Sequence, residues 1–364
     1  MTKVQRDPHW SDWKWQVRHA VRTPADLAAQ LTLTPDEAEG VRRTTAGGLP
    51  LTVTPYFMEL VEREGPDGPL RRQVVPSAAE WTASPGERDD PLGEEALLAA
   101  PSLVHRYPDR ALLWATDRCA SYCRFCTRKR LVGQGPTPTE SDVADGIDYI
   151  ARTPSIRDVI ISGGDALLLD DDKLVSLVAR LRGIRHVDVI RLATRMVAFC
   201  PMRITLDLLH QLRAFQPVYF LLHFNHPAEL TPEVTAALAR LADHGFPLLN
   251  QSVLLRGIND RVDVLEALFR TLARLRCRPY YLHQCDAITG AAHFRTTLDS
   301  GLDLVDALRG RVSGLALPTY VVDVPGGRGK VPLARDPRVS REGGLVRLRG
   351  SLGGTADYPE PSDS

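Results

Sequence analysis

Seven short apolar, β-rich runs recur along this chain, and most start roughly thirty residues after the one before, the length of a strand, a crossover helix and two loops. They are ALLWATD from Ala111, DVIISGGD from Asp158, VDVIRLAT from Val187, VYFLLHF from Val218, PLLNQSVLL from Pro247, PYYLHQCD from Pro279 and TYVVDVPGG from Thr319. Between them lie LDDDKLVSLVARLRGI, RITLDLLHQLRAF, TPEVTAALARLADHG and RVDVLEALFRTLARL, with apolar residues at three- and four-residue spacing, the period of a helix with one buried face. Alternating strand and helix dictates a parallel sheet, and six or seven such units predict a full or partial barrel. Polar or glycine-rich residues follow nearly every run, at the rim where such barrels carry their chemistry.

The flanks have other rhythms. Residues 1–95 show helix starts without strands: Thr23-Pro24-Ala25-Asp26 and Thr34-Pro35-Asp36-Glu37 each place an N-cap before Pro and an acid. This predicts a helical N-terminal region, with Trp10, Trp13 and Trp15 as packing anchors. Ser84–Gly93, rich in Pro, Gly and charge, reads as a linker or exposed loop. The expected division is 1–95 helical, 96–318 barrel core and 319–364 a C-terminal segment whose last dozen residues fray.

Charge excludes one class of function. Lys+Arg and Asp+Glu both number 45, so no basic excess exists to hold phosphate backbones, and no nucleic-acid partner is expected. The start MTKVQRDPHW lacks a signal-peptide core, and no apolar run approaches the ~18 residues of a spanning helix. No membrane association is expected. Six cysteines are too sparse for a disulfide framework, which points to a reducing, cytoplasmic setting.

Three of those cysteines crowd into CASYCRFC: Cys119, Cys123 and Cys126, just after the first barrel run. Three thiolates can hold three irons of a cubane and leave the fourth open to a small molecule, whereas structural zinc asks for a fourth ligand that is not evident nearby. The spacing is the signature of radical S-adenosylmethionine enzymes. Ser162-Gly163-Gly164-Asp165 ends the next run, where glycines would let the backbone approach a ligand.

RYPDR, CASYCRFCTRKR, ISGGDALLL, HFNHP, LLNQSVLLRGIND, RPYYLHQCD, HFRT and VVDVPGGRGK together make the chain resemble the lysine 2,3-aminomutase family, from Trp10 to about Leu333. That resemblance implies a partial (β/α)6-type TIM-like barrel of the radical S-adenosylmethionine superfamily, with an N-terminal helical extension and a C-terminal pyridoxal-binding segment. It implies a four-iron cluster, S-adenosylmethionine and pyridoxal phosphate, and transfer of the α-amino group of L-lysine to its β-carbon. A flavodoxin or ferredoxin would supply electrons, and the assembly would be a dimer or tetramer.

Residue by residue, the resemblance makes Cys119, Cys123 and Cys126 the cluster ligands and Lys330, in GGRGK, the pyridoxal lysine. A Walker A loop does not fit there, because Val324 and Val331 stand where that pattern requires Gly and Ser or Thr. Arg106 and Arg110 match phosphate-binding arginines. Gly163, Gly164, Asp165, His223 and Gln251 correspond to S-adenosylmethionine contacts, although His223 in FLLHF fits a satisfied core histidine equally well. Arg128 matches the arginine that takes the substrate carboxylate, and Asp286 with Asp323 the acids that take a distant ammonium.

The acidic pair favours a cationic side chain, lysine first and arginine second, and disfavours glutamate. The branch that modifies a lysine of a translation factor shares AAHF but lacks the HQCD and VVDVPGG pattern. One departure stands out. The family's structural-zinc cysteines are missing, since Arg261 follows Asn259-Asp260 and no cysteine lies beyond Cys285. Cys200, Cys277 and Cys285 read as packing residues. The reading from another class is a non-catalytic cluster or zinc protein.

Overall fold

The computed structural model describes residues 6–361. All seven apolar runs form strands of one sheet. Its strands are β1 (Leu98–Ala100), β2 (Leu103–Tyr107), β3 (Arg110–Thr116), β4 (Asp158–Gly163), β5 (Val189–Thr194), β6 (Val218–Leu222), β7 (Leu248–Leu254), β8 (Cys277–Gln284), β9 (Thr319–Asp323) and β10 (Lys330–Pro332), neighbours in space in that order. Strands β3 to β9 are parallel, while β1–β2–β3 at one end and β9–β10 at the other are antiparallel. Edge strands β1 and β10 do not pair, so the barrel is open. Its two ends nevertheless meet through side chains: Arg106 of β2 lies 3.3 Å from Asp323 of β9, and the Lys330 amide of β10 donates to the Tyr107 hydroxyl at 2.8 Å.

Crossover helices cover the outer face. The helix Val262–Arg274 buries Leu265, Leu268, Phe269 and Leu272, the three- and four-residue spacing read from its sequence, and each such side chain contributes ~1.5–3 kcal/mol by leaving water. Helices also form over Asp171–Arg182, Leu206–Arg213 and Pro232–Asp243, as expected. Along β7 burial alternates with period two: Leu248, Asn250, Ser252 and Leu254 are fully covered. Gln251 and Val253 therefore point the other way, into the barrel.

The N-terminal region is helical as the caps indicated. Thr23 and Thr34 each close a capping box ahead of Pro24 and Pro35. Trp10 and Trp13 pack against the main core, whereas Trp15 stacks on His19 at 4.4 Å. Among the described residues no helix is long and apolar enough to cross a membrane.

Three expectations need correction. Within Ser84–Gly93, Pro85, Gly86, Arg88 and Asp89 are exposed as expected, but Pro91 and Leu92 are buried and Leu92 lines the barrel interior, so the end of the segment is not a free linker. The tail does not fray where described, because Arg338–Glu342, Leu345–Arg349 and Thr355–Pro359 (β11, β12 and β13) make a separate antiparallel sheet. That sheet is held by backbone bonds and ion pairs such as Arg347–Asp357 at 2.8 Å, so it leaves no apolar pattern to read. Finally, a division at residue 318 falls inside the main sheet, since β9 pairs with β8.

Candidate active site

Two adjoining chambers of about 290 and 350 Å³ lie inside the barrel, the first towards the carboxyl ends of the parallel strands and the second deeper, against Arg110–Leu112, Ile160, Arg191 and Tyr280. Leu92, Arg128, Ser162, Gln251 and Lys330 line both, so the chambers share a wall.

Cys119, Cys123 and Cys126 line the first chamber. The N-terminal region fixes their loop. The Tyr122 amide donates to the Thr52 carbonyl, and the Arg124 amide to that of Gln73. The fully buried Arg124 guanidinium grips Glu80 at 2.6–2.8 Å and the carbonyls of Leu49 and Pro50. Burial raises all three thiols, Cys126 to about 11, so without metal they are protonated; coordination deprotonates a thiol outright. Among the described residues no three His, Cys, Asp or Glu side chains converge on one ion-sized point, the cysteine trio included. A cubane asks instead for separated sulfurs, one at each of three irons, along one wall of a cavity. Beside them the Arg195 Nη1 lies 2.8 Å from the Cys123 sulfur, and its Nη2 donates to Gln73 and Glu229.

Lys330 borders both chambers, with Arg106, Tyr107, Arg110, Arg191, Tyr280 and Tyr281 around the second. The Lys330 ammonium donates to Asp323 Oδ2 at 2.6 Å. Asp323 also faces Arg106 at 3.3 Å and His283 Nδ1 at 3.6 Å. Burial alone would raise its carboxyl, but His283 and Lys330 outweigh burial and hold it far below the usual range. Asp286 shows the reverse. Burial first, and the neighbouring Asp323 charge second, push it up to about 7, and no described side chain pairs with it. Arg110 lies over the Tyr107 ring at 4.4 Å, and its Nε, 3.2 Å from the Asp109 carboxylate, makes no aligned hydrogen bond. Guanidinium groups, aromatic faces and a lysine in one chamber suit a phosphorylated aromatic aldehyde.

Residues 115–268 match the radical SAM superfamily, where SAM is S-adenosylmethionine, and residues 305–364 match the family described as lysine-2,3-aminomutase. The L-lysine 2,3-aminomutase of Acetoanaerobium sticklandii is 45% identical over 353 residues, covering 97% of this chain and 85% of its own length. This chain belongs to the lysine 2,3-aminomutase family. The L-lysine 2,3-aminomutase of Clostridium subterminale is 44% identical over 356 residues, 98% of this chain and 85% of that one. The glutamate 2,3-aminomutase of Clostridioides difficile is 39% identical over 341 residues, 93% and 80% of the two.

Membership in the lysine 2,3-aminomutase family brings a four-iron cluster, S-adenosylmethionine and pyridoxal phosphate. The two chambers fit them: thiols and the Gly163–Gly164 turn in the first, cations and Lys330 in the second. Residues of the family motifs line both chambers. Arg106 and Arg110 border the second chamber, His223, Asp286 and Asp323 the first, and Arg128 and Gln251 both.

Some local readings differ. A Cβ on Gly163 would fall 2.2 Å from the Thr116 carbonyl oxygen, and one on Gly164 2.2 Å from that of Arg118. The chain's own crossing at Thr116 and Arg118 therefore already requires glycine at both positions, whatever the turn also holds. The Asp165 oxygens are likewise taken, accepting from Thr194 Oγ1 and the amides of Arg195 and Leu167, so its carboxylate braces the loop. His223 bonds Asn225 at 3.1 Å yet faces the chamber, and burial lowers its ring well below the ordinary value.

Several residues escaped sequence reasoning. Tyr107 sits inside the quoted RYPDR and His283 inside HQCD, so a motif signal existed for both. For Arg195 and Glu94 there was none, because each acquires its partner only when distant segments close together.

Proposed function

We propose that this chain converts L-lysine to L-β-lysine by moving the α-amino group to the β-carbon. The observation that carries the reading is that the first chamber is lined by the Arg128 guanidinium, on the shared wall, and by the carboxylates of Asp286 and Asp323, with Lys330 beside them. A molecule with a carboxylate at one end and an ammonium at the other matches that layout. The family's L-lysine 2,3-aminomutases support it. Arginine is the second candidate on the same charge argument.

When bound, the reduced cluster with S-adenosylmethionine supplies a 5′-deoxyadenosyl radical, and pyridoxal phosphate carries the migrating nitrogen. Cys119, Cys123 and Cys126 would hold the cluster, and Gly163, Gly164, Gln251 and His223 the nucleoside cofactor. Arg106 and Arg110 would bind the phosphate and Lys330 the aldehyde. Arg128 orients the substrate carboxylate. Asp286, left without a cation of its own, takes the ε-ammonium; Asp323 joins it once Lys330 is engaged elsewhere. The 84–97 segment and the Gly326–Lys330 turn cover the mouth and keep out water, since a Cβ on Gly93 would meet the Gly326 carbonyl carbon at 3.1 Å. Partners in this reading are a flavodoxin- or ferredoxin-type reductant and further copies of the chain. All six cysteines are free, in keeping with the cytoplasm.

The test is Asp286→Asn, which removes charge and keeps shape. Losing a buried ion-pair partner costs roughly 2 to 5 kcal/mol, or about thirty-fold to several-thousand-fold in kcat/KM for lysine. Near-parental lysine turnover by that variant would remove the ammonium role. Asp323→Asn is the less clean probe, because it also frees Lys330.

A further inference from the structure

Arg128 enters the chamber with one edge already taken. Its Nε and Nη2 bond Glu94 at 2.7–3.2 Å, which leaves the Nη1–Nη2 edge, with Nη1 3.3 Å from the Ser162 hydroxyl. Both side chains are buried, with Glu94 at 6% and Arg128 at 17% exposure. Burial alone would raise the Glu94 carboxyl, but Arg128, helped by Arg130 and Arg106, holds it below its usual range, so the contact is a charged, two-point pair. Glu94 is itself anchored independently of any substrate. Arg130 clamps the same segment through Asp90 at 3.2 Å and Glu95 at 2.9 Å, and the Leu97 amide donates to the Glu94 carbonyl.

We propose that Glu94 is the positioning residue for the substrate carboxylate. By filling the Nε–Nη2 edge of the Arg128 guanidinium it fixes the plane of the group and directs the remaining Nη1 end, beside Ser162, at the place where the substrate carboxylate docks. Because Glu94 cancels the Arg128 charge, capture of the carboxylate depends on a directed N–H and not on net positive charge. A dicarboxylic substrate therefore gains little at this wall: Arg106 and Lys330 are paired with Asp323, and Arg191 with Asp158 at 2.5 Å. This rests on Arg128 being the carboxylate ligand and adds how its geometry is set.

The experiment uses the full chain, loaded anaerobically with its cofactors, as parent, Glu94→Gln, Glu94→Asp and Arg128→Gln. Each is assayed for lysine turnover and, by the absorbance change of bound pyridoxal, for binding of L-lysine and of L-lysinamide, which lacks the carboxylate. Glu94→Gln should weaken lysine binding and kcat/KM on the order of 100-fold, the scale of a 1 Å misplacement. It should leave lysinamide binding within about twofold, as for independent sites, with Glu94→Asp recovering part of the loss. Unchanged or tighter lysine binding in Glu94→Gln would overturn the proposal and make Glu94 a resident competitor. An equal loss for lysinamide would overturn it as a general structural defect. If Arg128→Gln binds lysine like the parent, the underlying carboxylate assignment itself falls, an outcome distinct from failure of Glu94 alone.

Discussion

Two carboxylates at the ends of neighbouring strands acquire opposite characters from what faces them. Asp323 has Lys330, Arg106 and His283 and stays ionised, while Asp286 has burial and a like charge and rises to about 7 from its ordinary 3.8. Since the folded-state value is the higher one, Asp286 lends the ligand-free protein stability that is complete below about pH 4 and lost as pH rises through 7. A bound ammonium reverses this preference. The KM for lysine should therefore rise about tenfold for each pH unit below 7 and be level above it, and Asp286→Asn should flatten that limb of the profile. A variant that keeps the full slope would assign it to another group. Lys330 gives a second residue-scale outcome. Borohydride reduction of the pyridoxal-loaded protein, followed by peptide mapping, should place the label on Lys330; a label on Lys129 or Lys173 would contradict its role. The cysteines, Lys330 and the two acids could be singled out in the sequence because each is a reactive residue in a motif, and all of them line the first chamber. Glu94 could not, for a Glu in a charged, glycine-bearing stretch looks solvated until Arg128 and Arg130 close on it.

Elements were legible in proportion to how much apolar pattern they carry. All seven runs became strands, since a strand covered on both faces must be nearly all apolar, and the helices with a clear buried stripe formed where expected. The helix Glu140–Arg152, absent from the sequence reading, also buries one face through Gly146, Ile147 and Ile150 and opens on a capping box of Thr139 with Asp142. The β11–β13 sheet, with β11 and β13 wholly exposed, had none. The loop after β4 is the element whose physics the sequence hid: its glycines yield to the Thr116 and Arg118 backbone. Gly164→Ala should then destabilise the fold by about 1–3 kcal/mol through overpacking, lowering the thermal midpoint even without S-adenosylmethionine. A Gly164→Ala protein that melts like the parent and loses only cofactor affinity would restore the ligand-approach explanation.

Across the whole molecule, an open ten-stranded sheet brings β2 against β9 and β10 by side chains alone, and that closure creates the second chamber. The N-terminal helices form the floor of the cysteine loop through Arg124, so the regions read separately from the sequence build one site. In the proposed function this site takes a carboxylate at one end and an ammonium at the other. Anaerobic incubation of the cofactor-loaded protein with L-lysine, L-arginine and L-glutamate in equal amounts, resolving the β-amino products, puts that to the test. β-Lysine should be the dominant product, with little β-arginine and no β-glutamate; a preference for glutamate would overturn the assignment to lysine.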